Sequence, residues 1–235
     1  MNLPLLLTLL LGGLAALDAT PVAQTMLAQP LVTGTLLAAI WGDWRVALET
    51  AIVLQLLAAS TVPIGARTPA DYATGGVVGV GTAVALAAGR PFSFTQDACA
   101  MLGVMSGLIA ALLGSAVLRW QRRLNEGLAR WCESRLRAGE PRALGEAHRA
   151  AVVLAFALGV GFSAACLGVA IAGLDRFAGG ESLRLARAWR LAQPLWLGFG
   201  LAQILHLFVQ RRLSRVAVFG AALIAAWLVL VVGSP

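Results

Sequence analysis

Residues 98–118, ACAMLGVMSGLIAALLGSAVL, run for twenty-one positions without a charged side chain. A helix needs about 20 apolar residues to cross a hydrocarbon core of about 30 Å, so this stretch reads as a membrane span and decides the class of the chain. Moving outward, further apolar segments occupy 3–17, 31–42, 45–62, 73–89, 150–174, 191–209 and 214–233. Of the 235 residues, 59% are hydrophobic and only 12% charged, and the mean hydropathy is +0.82. A soluble domain carries about 25% charge, and a water-soluble globule of this size could not bury so much apolar surface. The expected fold is an all-α, polytopic transmembrane helical protein.

The formal net charge of +7 comes entirely from arginine, since all 18 basic residues are Arg and none is Lys. Many sit between apolar runs, where basic clusters act as topology signals that are kept on the cytoplasmic side. Nucleic-acid binding would need a solvated basic face with reading groups, and no nucleic-acid partner is expected. Cys99, Cys132 and Cys166 are odd in number and far apart, which suits space-filling in helices better than disulfides or a zinc site. No metal, cofactor or catalytic residue set is expected. The segment Met1 to Leu17 lacks a basic start and a small-residue cleavage site, so it reads as a retained first span.

The main polar stretch, 119–149, holds Arg119, Arg122, Arg123, Arg130, Arg135, Arg137, Arg142 and Arg149 among four glutamates. Trp120, Leu124, Leu128, Trp131 and Leu136 recur at near-helical steps, which predicts a cytoplasmic amphipathic helix at the headgroup level, ended by Gly139-Glu140-Pro141. The chain therefore divides into an N-terminal transmembrane half (1–118), this Arg-rich segment (119–149) and a C-terminal transmembrane half (150–235). Asp175 to Arg190 carries four more arginines. If both polar stretches are cytoplasmic, 150–174 must enter and return, or cross with some distortion.

Segments 31–42 and 45–62 are parted only by Gly42-Asp43-Trp44-Arg45. Either they form broken or re-entrant helices, tolerated at membrane depth only where protein or a water-filled cavity surrounds them, or they are two spans joined by a tight turn. Ala28-Gln29-Pro30-Leu31 recurs as Ala192-Gln193-Pro194-Leu195, which raises an inverted repeat of the kind common in transporters.

Polar groups inside apolar regions cost several kcal/mol unless paired or hydrated. Asp18, Asp43, Glu49 and Asp71 fall in the first third, with Gln24, Gln29 and Gln55. Gln55 lies within Val-Leu-Gln-Leu-Leu, where its amide either meets another helix or offers donors and acceptors to a sugar hydroxyl. Asp71 closes a loop interrupted by Pro63, Gly65 and Pro69; it caps the next helix or accepts hydrogen bonds from a polyhydroxylated ligand.

The ordered set Gln24-x-Met26-x-x-x-Pro30-Leu31-Val32, Gly42-Asp43, Gln55, Pro63-Ile64-Gly65-Ala66 and Pro69-x-Asp71 resembles the first half of the IIC component of the mannose/fructose/sorbose class of the bacterial sugar phosphotransferase system. Leu17-Asp18 suits the opening of that family, and the resemblance covers residues 14–85. It implies a multi-pass permease subunit of the bacterial inner membrane, not itself an enzyme, that binds a hexose and moves it inward. It also implies an oligomer with a IID-like membrane subunit, supplied by cytoplasmic IIA and IIB phosphocarriers. Sugar contacts of the family map onto Gln55 and Asp71, and onto Gln24. Gln29 stands where a basic residue is expected, and Thr68-Pro69-Ala70-Asp71 has a single proline before the acid. A diverged, regulatory or sensory IIC-like protein without transport is the alternative.

Overall fold

The computed structural model describes residues 2–19, 22, 24–59, 69–89, 94–208, 214, 216–221, 224 and 227, with the backbone alone at 175, 177–179 and 206–208. In chain order the helices are α1 (Leu3–Ala19), α2 (Pro30–Trp41), α3 (Trp44–Ala59), α4 (Tyr72–Ala88), α5 (Gln96–Arg137), α6 (Ala143–Ala178), a 3₁₀ turn (Gly179–Glu181) and α7 (Ser182–Phe208). Among the described residues there is no strand, so the chain is all-α as its composition requires. Two helical stretches, Gln96–Arg137 and Ala143–Leu174, are by length and composition sufficient to cross a bilayer.

Helix α4 forms the centre. Its sequence is rich in Gly, Ala, Val and Thr, and every residue from 73 to 84 is buried. Small side chains allow neighbouring backbones to approach, and α1, α2, α3, α5 and α6 all pack on it. The closest approach is to α5: a Cβ on Gly107 would lie 2.9 Å from the Gly75 carbonyl oxygen and 3.1 Å from the Gly79 Cα. On the far side α1 packs on α6, where a methyl on Gly13 would strike the Phe156 ring at 2.6 Å.

Helices α2 and α3 make a tight antiparallel pair. Pro30 opens α2, where its missing N–H costs nothing. Gly42 ends it at φ 76°, a left-handed conformation that glycine adopts without a Cβ clash. The Asp43 carboxylate then accepts from Val46 N at 3.1 Å and starts α3. Twelve residues of α2 rise only about 18 Å and sixteen of α3 about 24 Å, both short of a core of about 30 Å. The Gly-Asp turn is thus tight, and the helices on either side of it are truncated.

At the turn end, Arg45 donates to Glu49, Asp97 and Gln96, each at 3.1 Å, while Arg190 approaches Asp97 at 3.6 Å. These ion pairs join α3, α5 and α7 but are solvent-exposed, and exposed pairs contribute about 0–1 kcal/mol. Arg45→Ala is accordingly expected to lower the melting temperature in detergent by no more than about 4 °C. Thermal scanning of the purified protein checks this.

Residues 119–149 differ from the separate headgroup-level helix expected from sequence. They are the far half of α5, a turn and the first turns of α6. No proline interrupts 118–137, and the Arg, Leu, Glu, Gln and Ala that make up most of it are good helix formers, so the helix continues through Gly127. Gly139 stops it at φ 83°, with Glu140 N bonding to Arg135 O and Gly139 N to Leu136 O, both at 3.0 Å. This pair of bonds is a Schellman cap. Glu140 also pairs with the Arg135 guanidinium at 2.6 Å and raises its pKa further. Trp120 is 53% and Trp131 37% exposed, whereas Gln121 and Cys132 are buried.

Because α6 is one helix from Ala143 to Ala178, it does not enter and return. Arg142–Arg149 and Asp175–Arg190 therefore lie at its opposite ends. The two Ala-Gln-Pro-Leu tetrapeptides also differ in setting, since Pro30 begins α2 while Pro194 lies inside α7. Cys99 and Cys132 are buried and Cys166 half-buried, all three as free thiols.

Candidate functional site

Asp18, Gln24, Gln29, Gln55 and Asp71 lie where α1 and α3 end and α2 and α4 begin, while Asp43 and Glu49 lie at the opposite, turn end. Gln55, in the last turns of α3, accepts a hydrogen bond from Leu31 N at 3.1 Å and donates to the Gln29 side-chain oxygen at 2.8 Å. Gln29 occupies the N-cap position of α2 but makes no cap bond with its side chain, which is turned to Gln55 instead. The two amides thus satisfy each other and one free backbone N–H of the α2 start. The Gln55–Gln29 pair leaves a second N–H on Gln55 and both donors of Gln29 for another partner.

Asp71 is 9% exposed and caps α4. Its carboxylate accepts from Thr74 N at 3.3 Å and from the Thr74 hydroxyl at 2.6 Å, and its own N–H bonds to Ala111 O of α5 at 2.8 Å. Gly114 leaves the room this requires, since a Cβ there would lie 2.8 Å from that of Asp71. The capping role anticipated as one reading of Asp71 is therefore present. One turn into α4, Gly76 lies against Pro30, with 3.1 Å between its projected Cβ and the proline Cα. This contact ties the α4 start to the α2 start beside Gln29. Tyr72 packs against the cluster that Val53, Leu54 and Leu57 of α3 form with Ala100, Val104 and Trp189. The loop containing Pro63-Ile64-Gly65-Ala66, which joins the Gln55 and Asp71 sides in sequence, lies outside the described residues.

Gln24 is exposed, with φ 51°, and Met26, with φ 68°, is 70% exposed. Both occupy a left-handed backbone that side chains rarely adopt. Sequence reasoning picked out Gln24, Gln55 and Asp71 but gave Gln29 no place at the site. A signal for it exists: Gln29 and Gln55 each stand thirteen residues from Gly42, so an antiparallel pair closed at that turn sets them opposite.

Among the described residues no group of three or more His, Cys, Asp or Glu side chains could hold a metal ion. The Gln29–Gln55 amides are suited to neutral hydrogen bonding.

An all-α membrane protein with truncated helices meeting at an amide cluster is the class that fold and site define. The family model described as the phosphotransferase system sorbose-specific IIC component matches residues 3–175, and the chain belongs to that family. The match runs well past 14–85 and takes in α5 and α6 as far as residue 175. The chain is thus a membrane sugar-transport component, and its family membership implies association with other components of the phosphotransferase system. A solved structure titled "Structure of membrane protein" shares the fold, with TM-score 0.68, 14% identity, and 97% of this chain and 96% of that one covered. No curated protein matches.

Proposed function

We propose that this chain binds a hexose beside the Gln55–Gln29 pair and carries it inward across the bacterial inner membrane, as the IIC subunit of a phosphotransferase-type transporter. The observation that carries the proposal is the amide pair itself, set where α2 and α3 fall short of a full crossing. Sugar hydroxyls donate and accept equally, and amides do the same without a net charge to desolvate. Gln55 would exchange its bond to Gln29 for bonds to the sugar. Asp71 would contribute its spare lone pairs and hold the end of the intervening loop against α5. Gln24 would approach from the loop that precedes α2.

In this reading the Arg-rich α5–α6 turn faces the cytoplasm, following the positive-inside rule. A IID-like subunit completes the membrane complex, and IIA and IIB proteins supply phosphate. Membrane vesicles containing the chain, a IID-like subunit and phosphorylated IIB are expected to accumulate a labelled hexose from a panel of hexoses. Omitting the chain should abolish accumulation. If no hexose in the panel accumulates or binds in equilibrium dialysis, the proposal fails.

A further inference from the structure

Asp18 is the penultimate residue of α1, and a negative charge there opposes the helix dipole, whose C-terminal end is already negative. The side chain is nonetheless 7% exposed and engaged on both oxygens. One accepts from Thr25 N and from the Thr25 hydroxyl, the latter at 2.8 Å; the other accepts from Ala28 N at 2.8 Å. The segment it grips contains the two left-handed residues Gln24 and Met26. Gln24 N bonds back to Val22 O at 2.7 Å, and Gln29 N to Met26 O at 2.9 Å. Such a conformation persists only where the surroundings hold it, and three donors converging on one buried carboxylate do so.

We infer that Asp18 is a positioning residue for sugar recognition: it pins the left-handed 24–28 loop and so sets Gln29 against Gln55 without touching the sugar. The inference rests on the amide-pair reading of the site. The chain of contacts runs from the Asp18 carboxylate to Ala28 N, through one peptide to Gln29, and from the Gln29 oxygen to Gln55 Nε2. Releasing the loop leaves α2 and α3 folded, because their own turn lies at the opposite end, but it frees the start of α2 to reorient Gln29. The loss should therefore fall on sugar affinity, not on the amount of folded protein.

Two measurements test this. In vesicles with the partner subunit and phosphocarriers, Asp18→Ala is expected to raise the apparent KM for the hexose about tenfold with maximal uptake per inserted molecule retained. Asp18→Asn, which can still accept from Thr25 but not from both sides, should fall between it and the parent. Thr25→Val removes only the hydroxyl donor and should raise KM about threefold, which keeps the test available if Asp18→Ala does not fold. Reduced maximal uptake at unchanged KM in Asp18→Ala and Thr25→Val would mean a purely structural role and overturn the inference.

The second measurement needs no sugar. With Cys99, Cys132 and Cys166 replaced by alanine and cysteines placed at 29 and 55, a short bis-thiosulfonate reagent should crosslink the pair rapidly. Adding Asp18→Ala should slow this several-fold, by the loss of preorganisation. An unchanged rate overturns the positioning role whatever the site binds. A slowed rate, together with sugar uptake indifferent to Gln55, would sustain the positioning and remove the sugar reading instead.

Discussion

Gln55→Leu is expected to cut hexose uptake by at least about a hundredfold, because a site built to hydrogen-bond a hydroxyl loses far more than a methylene's worth of affinity when one partner goes. Leucine is close in size and costs nothing in a bilayer, so the protein should still insert and purify normally. The variant removes the acceptor of Leu31 N and the donor to Gln29, leaving the Gln29 oxygen and a backbone N–H without their protein partners. Gln29→Leu alone should be milder, since Gln55 keeps its bond to Leu31. The double variant should be no worse than Gln55→Leu, as residues within one hydrogen-bonded unit are not additive. Gln55→Glu preserves the acceptor of Leu31 N but loses the donor to Gln29 and adds a charge, so its uptake should fall between those of the parent and Gln55→Leu. Uptake by Gln55→Leu equal to that of the parent, measured per inserted molecule, would remove the amide pair from the site.

The second large effect concerns folding. Gly107→Val should prevent recovery of stable protein, or lower its melting temperature by at least about 8 °C. The new side chain meets a carbonyl oxygen and a Cα of α4 at about 3 Å and Leu54 of α3 at 2.9 Å. Backbone cannot yield as a flexible side chain does, so α4 and α5 would have to separate along their length. Gly161 of α6 has no heavy atom within 4 Å of a projected Cβ, and Gly161→Val should leave the melting temperature within about 2 °C of the parent. Comparable losses in both variants would mean that glycine matters in α5 for some reason other than close approach.

Class and helix content were legible in the sequence because a 21-residue run without charge admits few alternatives. The Gly42-Asp43 break was legible too, since glycine and a capping acid carry local signals that need no tertiary context. The continuation of α5 was not: an Arg-rich composition suggests a change of environment, but the backbone responds to helix breakers, and the segment holds no proline and a single glycine, Gly127, before Gly139. Asp71 was readable as a cap or as a ligand group, and the geometry supplies the cap because Thr74 lies three residues on. Gln29 and Asp18 were noticed as polar residues without a role. Their partners, Gln55 and the Thr25–Ala28 amides, become neighbours only once two turns have closed, and periodicity carries no information about that.

The unbroken α5 has a structural consequence. Its polar half, residues 119–137, extends about 28 Å past Leu118, where the charge-free run ends, while its apolar half is held against α4 through Gly107 and against Asp71 through Gly114. The arginine-rich tip and the segment that receives the cap of α4 are therefore parts of one continuous helix, with no break between them from Gln96 to Arg137.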